Sequence, residues 1–252
     1  MPTLILVLGG TTEARLLAGE LAADPALRVV TSLAGRVRAP APLPGEVRIG
    51  GFGGVDGLAA WLRTNEVAAV IDATHPFAAQ MTAHAVAAAT AVGVPLVRLD
   101  RPGFTPDAAW TVVDSLAAVP TALTGDRVFL TTGRSGLATF ADCPQWFLVR
   151  AVDPPEGPAP QRMQVLLDRG PFTVDGERAL LREHTIDVLV TKDSGGSATE
   201  AKLAAARAEG VAVVVVARPG LLAGVATVAT VAEALRWLRG SQQGGFPPVS
   251  PE

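Results

Sequence analysis

"MPTLILVLGGTTEAR" (residues 1–15) runs from an apolar stretch straight into two glycines and two threonines, and then into a helical pattern. Residues 3–8 read as a buried strand, because the run is strand-length, rich in Leu, Ile and Val, and bounded by glycine. Gly9 and Gly10 leave two readings open: a tight turn between strand and helix, or a bend where backbone amides come close to a phosphate. The same strand-turn-helix pattern recurs downstream. Strands are expected near 27–32, 46–49, 67–72 and 94–99, with helices near 12–23, 55–64 and 77–92. These strands are nearly continuously apolar instead of alternating, as parallel strands covered on both faces require.

The stretch "LDRPGFTPDAAW" (99–110) interrupts the pattern with two prolines and a glycine, the composition of a domain junction. Alternation then resumes. Strands are expected near 110–113, 127–132, 146–150, 186–191 and 211–216, and helices near 115–123, 135–141, 161–168, 176–184 and 197–209. "VDPPEGPAP" (152–160) reads as a surface loop and "VAEALRWLRG" (231–240) as a last amphipathic helix. The fold class that follows is α/β: two Rossmann-like, doubly wound parallel-sheet domains with a cleft between them. Residues 1–100 form the first, cofactor-binding domain in this reading and 101–240 the second, substrate-binding one. Residues 241–252 are expected to be a disordered tail, since they lack the apolar content to fold.

The 252 residues carry 21 Lys and Arg against 24 Asp and Glu, a balance that offers nucleic acid no electrostatic footing. The longest apolar runs, "LILVL" and "VAVVVVA", fall far short of the roughly 20 residues that span a bilayer, so no membrane partner is expected. The first strand lacks the basic flank and cleavage site of a signal peptide, which points to a cytoplasmic protein. Cys143 is the single cysteine, and His75, His84 and His184 show no ligand spacing, so neither a disulfide nor a metal centre is expected.

In open parallel sheets, ligands bind beyond the carboxyl ends of the strands, where the strand order reverses. In "GGTTEAR" (9–15), Gly9 and Gly10 permit close backbone approach while Thr11 and Thr12 add hydroxyl donors. Glu13 suits the positive end of a helix but repels a phosphate, so it is expected to point away or to contact a ribose. The full G-x-G-x-x-G pattern is absent, which keeps the structural turn open. "TSLAGR" (31–36) lacks the carboxylate that NAD-binding folds aim at the ribose 2′-hydroxyl. Ser32, Gly35 and Arg36 suit a 2′-phosphate instead, favouring NADPH over NADH, with solvated loop charges at Arg36 and Arg38 as the alternative. Gly51 and Gly53 in "RIGGFGG" (48–54) mark close ligand approach or a plain turn. "DATHPFA" (72–78) brings Asp72, Thr74 and His75 to the same edge, where Asp72 or His75 is suited to deliver a proton; a capping Thr74 and a noncatalytic His75 are the other reading.

Three turns of the second half, "TTGRSG" (131–136), "TKDSGG" (191–196) and "ARPG" (217–220), also fall at expected strand ends. They place Arg134, Ser135, Lys192, Ser194, Gly195 and Arg218 at one edge suited to an acidic ligand, three unrelated turns being the alternative. "DSGG" follows a parallel-type strand and has no oriented His and Asp set, "GRSG" is not a nucleophile elbow, and no Walker A sequence occurs. The chain contains no tyrosine, so the Tyr-x-x-x-Lys pair of short-chain dehydrogenases is excluded, and a sugar-nucleotide dehydrogenase is disfavoured. A two-lobed nucleotide or anion sensor without chemistry is the competing class.

The ordered set "ILVLGGTTEARLLAGEL", "RIGGFGGVDGLAAWL", "VIDATHPFA", "PLVRLDRP", "VLVTKDSGG", "AKLAAAR" and "VVVVARP" resembles the precorrin-6A reductase family of vitamin B12 biosynthesis over about residues 3–220. The resemblance implies an enzyme that uses a reduced nicotinamide to saturate one carbon–carbon double bond of an anionic tetrapyrrole, precorrin-6A or its cobalt form. The macrocycle is expected to lie in the cleft, and the protein to be a monomer or a small homo-oligomer. Asp72, Lys192 and Asp193 form the candidate catalytic set, with the two aspartates as proton relays and Lys192 also contacting substrate.

Overall fold

The computed structural model describes residues 2–35, 42–134, 136–196 and 200–242. The chain divides into two compact units, one made of residues up to Arg101 together with those from Gly220 onward, the other of Pro102–Pro219.

In the first unit, β1 (Thr3–Leu8), β2 (Leu27–Leu33), β3 (Glu46–Ile49), β4 (Ala69–Asp72), β5 (Leu96–Leu99) and β12 (Ala226–Val228) form one parallel sheet in the order β12-β5-β4-β1-β2-β3. The even and odd residues of β1 explain why its sequence does not alternate. Ile5 and Val7 pack with Leu17 and Leu21 of α1 (Thr12–Ala22) and with Ala234 and Leu238 of α7 (Val231–Gln242). Leu4, Leu6 and Leu8 face Leu58 and Leu62 of α2 (Gly54–Thr64) and Ala85, Ala88 and Ala89 of α3 (Ala79–Val92). Both faces are therefore covered, and each fully buried Leu or Ile contributes about 1.5–3 kcal/mol.

The second unit repeats the plan. Its strands β6 (Thr111–Val113), β7 (Arg127–Leu130), β8 (Trp146–Ala151), β9 (Met163–Leu167), β10 (Val188–Lys192) and β11 (Ala212–Val216) are all parallel and ordered β6-β11-β10-β7-β8-β9. One face packs Phe129, Leu148, Leu189 and Val213 against Leu181 of α5 (Val174–Glu183) and Leu203 and Ala206 of α6 (Ala201–Glu209). A short α4 (Val119–Ala122) follows a 3₁₀ turn at Leu116–Ala118.

The structure corrects three expectations. Residues 163–167 are a strand and not part of a helix, because "MQVLL" adds to the free side of β8 in the register Phe147↔Met163 to Ala151↔Leu167. Of the helix expected over 135–141, a 3₁₀ turn forms at Leu137–Phe140, entered by Gly136 at φ +87°. Residues 220–240 do not belong to the second domain: β12 pairs with β5, and α7 packs on α1, so the chain returns to the first sheet. Local periodicity specifies a strand and a helix but not which sheet receives them. The last helix runs to Gln242, and the tail expected beyond it lies outside the described residues.

Candidate functional site

Strand order reverses between β1 and β4 in the first sheet, and the register aligns Leu8 with both Ser32 and Asp72. The loops after β1, β2 and β4 therefore leave the sheet at one level. Gly9 N–H donates to the Ser32 carbonyl at 2.9 Å, and Ala73 N–H to that of Leu8 at 2.9 Å. The two glycines then differ. A Cβ on Gly9 would lie 2.8 Å from Thr31 Cγ2, so this glycine serves close packing. Gly10 has φ +115° and nothing within 4 Å of a Cβ position, so it provides a bend with open space before the amino end of α1.

Thr11 caps α1, its Oγ1 accepting from Ala14 N–H at 3.1 Å and donating to the Ala73 carbonyl at 2.8 Å. Its single hydroxyl proton is committed there, which corrects the expectation that it donates to a ligand; Thr12, the first residue of α1, keeps that candidacy. Glu13 is paired: Arg101 Nη1 donates to its Oε2 at 2.6 Å, and the pair offsets the repulsion a phosphate would meet.

The edge beyond β2 and β3 is held by a residue the sequence reading passed over. Arg48 donates from Nη1 to the Gly50 carbonyl at 2.5 Å and to Ser32 Oγ at 3.5 Å, and from Nη2 to the Gly51 carbonyl at 2.7 Å, and its guanidinium lies 3.7 Å from the centroid of the Phe52 ring. It braces a turn in which Gly50, Gly53 and Gly54 all take positive φ, and Gly51 and Gly53 border open space. Gly35, at φ +71°, approaches Ile49 across the same end. Arg36 lies outside the described residues. Arg48→Ala is expected to weaken cofactor binding about tenfold in a fluorescence titration, because the glycine turn and Ser32 lose their common anchor.

Asp72 is fully buried. Its Oδ1 accepts from Thr74 N–H and Oγ1 at 3.1 and 2.7 Å, and its Oδ2 from Thr82 Oγ1 and Arg98 Nη1 at 2.6 and 2.7 Å. Enclosed and ion-paired in this way, the carboxylate anchors the Thr74 and His75 turn, an arrangement that favours a scaffold role over the proton relay. His75 Nδ1 accepts from Phe77 N–H at 3.2 Å, tightening that turn.

The second sheet reverses its order between β7 and β10. Thr131 Oγ1 donates to the Val190 carbonyl at 2.9 Å, and Lys192 Nζ to the Thr132 carbonyl at 3.2 Å, so the two loops are joined at the switch. Asp193 Oδ1 accepts from Phe104 N–H at 2.8 Å, while Arg218 Nε reaches its carbonyl at 2.8 Å and its Oδ2 at 3.5 Å. Asp193 thus clamps two loops. Ser194 is buried, and Gly195 takes φ +59° where a Cβ would collide with the Pro102 carbonyl. Arg134 stands half-buried in the loop after β7, and Ser135 lies outside the described residues. Lys192 and Arg218 are thereby brought to neighbouring strand ends. Among the described residues no helix is long and apolar enough to cross a membrane, and no His, Cys, Asp and Glu side chains group as a metal site.

Two doubly wound parallel sheets, each with loops gathered at its switch point, define the class: an α/β protein of the kind that binds ligands beyond the carboxyl ends of its strands. Residues 4–239 match the family described as Precorrin-6x reductase CbiJ/CobK, and the chain belongs to that family, whose members are reductases of cobalamin biosynthesis. It is 53% identical to the precorrin-6A reductase of Rhodococcus erythropolis over 94% of this chain and 97% of that one. The cobalt-precorrin-6A reductase of Salmonella typhimurium is 30% identical over 85% of this chain and 87% of its own length. A solved structure titled CobK precorrin-6A reductase superposes with a TM-score of 0.89 at 47% identity, covering 97% of this chain and 98% of that chain.

Proposed function

We propose that the chain reduces one carbon–carbon double bond of precorrin-6A, with NADPH as the reductant, in the cytoplasm and as a monomer or small homo-oligomer. The observation that carries the cofactor assignment is Gly10: positive φ, an empty Cβ direction, and the amino end of an eleven-residue helix immediately after it. When bound, the reduced nicotinamide supplies a hydride to one carbon of the double bond, and water supplies the proton to its neighbour. The backbone at Gly10 and the first turn of α1, with Thr12, hold the diphosphate, and the Glu13–Arg101 pair keeps the carboxylate from opposing it. Ser32 and Arg36 take the 2′-phosphate, with Arg48 fixing the Ser32 edge. Thr74 and His75, held by Asp72, border the same site. Arg134, Ser135, Lys192, Ser194, Gly195 and Arg218 receive the carboxylates of the macrocycle, and orientation of the reacting carbons is the protein's main contribution.

The test is spectroscopic. NADPH absorbance is expected to fall only when the tetrapyrrole is added; binding of both without oxidation identifies a sensor and overturns the proposal. Arg36→Ala is expected to weaken NADPH much more than NADH in a binding titration, and equal losses remove the 2′-phosphate assignment.

A further inference from the structure

The second unit buries three charged side chains that the proposed reaction leaves without a part. Arg150 near the end of β8 is 7% exposed, Glu177 in the first turn of α5 is 2% exposed, and Lys202 in the first turn of α6 is 7% exposed. Helices that follow parallel strands begin at the carboxyl edge, so all three positions sit at the end of the sheet that carries Lys192 and Ser194.

Arg150 Nη2 donates to Glu177 Oε1 at 2.6 Å, and the guanidinium lies against the rings of Phe172 and Phe129, with centroids at 3.9 and 4.7 Å. Lys202 Nζ stands 6.0 Å from the Phe104 ring centroid. The ion pair is complete without the lysine, and two cations share one carboxylate. The cluster is also unfinished in its bonding, since Arg150 Nε and Glu177 Oε2 are buried without hydrogen-bond partners among the described residues. Burial pushes the Lys202 ammonium down to about 8, the charge of Arg150 acts in the same direction, and Glu177 acts against both. Methionine fills the same volume without desolvating a charge, so packing alone gives no reason for a lysine. A buried surplus charge is weakly screened and acts across several ångströms. Water serves the Arg150 donor and the Glu177 acceptor but does not balance charge; an anion near the two cations does.

We infer that Lys202 is a substrate-recognition residue, its surplus charge within the Arg150–Glu177–Lys202 cluster being balanced by a carboxylate of the macrocycle docked at the adjoining edge of the second sheet. The inference rests on the proposed function, which brings an acidic ligand to that edge. Arg150 and Glu177 are the charged groups facing Lys202 from β8 and α5, and Phe104 contributes an uncharged ring. A docked carboxylate favours the ammonium, so substrate binding near pH 8 takes up protons.

Titrating the tetrapyrrole into protein saturated with NADP⁺, by calorimetry at pH 8 in two buffers of different ionisation enthalpy, measures that uptake without turnover. Wild type is expected to take up a fraction of a proton at pH 8 and none through this group at pH 6.5. Lys202→Met is expected to abolish the uptake and to raise KM for the macrocycle about tenfold, by more than kcat falls, with KM for NADPH little changed. Lys202→Arg keeps the charge but does not titrate here, so it is expected to restore KM without restoring the uptake. Lys192→Met serves as the comparison. If it raises KM and Lys202→Met does not, the inference about Lys202 falls alone. If neither raises KM, the placement of substrate on the second unit falls with it. Equal proton uptake in wild type and Lys202→Met overturns the inference without reference to kinetics.

Discussion

Asp72→Ala is expected to lower the stability of the first unit by about 3 kcal/mol, because the buried Arg98 guanidinium loses its 2.7 Å partner and keeps only Asp100, 3.6 Å from its Nε. The thermal midpoint is expected to fall by roughly 10 °C, read by circular dichroism or calorimetry. Thr82 and Thr74 lose an acceptor at the same time, so the Thr74 and His75 turn loosens as the ion pair disappears. Replacing both charges, with Asp72→Leu and Arg98→Met together, is expected to recover part of the loss, since no buried guanidinium is left, while Asp100 gives up its 3.6 Å partner. A proton relay predicts a different pattern: a stable Asp72→Ala protein with kcat collapsed and the melting curve unmoved. That outcome returns Asp72 to the chemistry and removes it from the scaffold.

The second large effect separates adjacent glycines. Gly10→Ala is expected to weaken the reduced cofactor about 100-fold, near 2.7 kcal/mol, because a methyl group enters the open side of the bend and the positive φ becomes strained. The melting temperature is expected to drop by only a few degrees. Gly9→Ala, one residue earlier, is expected to do the reverse. Its methyl group meets Thr31, a fully buried side chain, and overpacking of this kind costs about 1–3 kcal/mol while leaving the ligand side clear. Affinity titrations and melting curves on the two proteins decide the matter, and equal losses of affinity in both contradict the division of labour.

That contrast also marks what a sequence discloses. "LGG" states that a strand ends in two flexible residues, and in the structure β1 does end at Leu8. Which glycine packs and which opens depends on Thr31, whose distance from Gly9 is set by the pairing of β1 with β2. Asp72 was legible as a carboxylate at a strand end, but its partner comes from β5, and only the register Asp72↔Arg98 reveals the pair. A signal did exist. Arg98 in "LVRL" and Arg150 in "WFLVRA" are charges inside runs that must be buried on both faces, and such a charge demands a counter-ion. The same reasoning points to Asp72 and Glu177. Arg48 was hidden for another reason: it reads as an exposed charge on an edge strand, and its work depends on carbonyls turned inward by glycines at positive φ. The 163–167 segment was misread because five apolar-rich residues between prolines carry too little periodicity to separate an edge strand from a helix.

The return of the chain to its first sheet has a consequence for biosynthesis. A nascent polypeptide of about a hundred residues has delivered β1 to β5, but β12 and α7 emerge only after the entire second unit has been made. Translation at about 5–20 residues per second separates the two events by roughly 6 to 26 seconds. During that interval the greasy flank formed by Leu17, Leu21, Val97 and Leu99 lacks the cover that Ala234 and Leu238 later provide. The amino-terminal half therefore waits, sticky and unsealed, for its own carboxyl terminus, and this is the window in which a chaperone has most to offer the molecule.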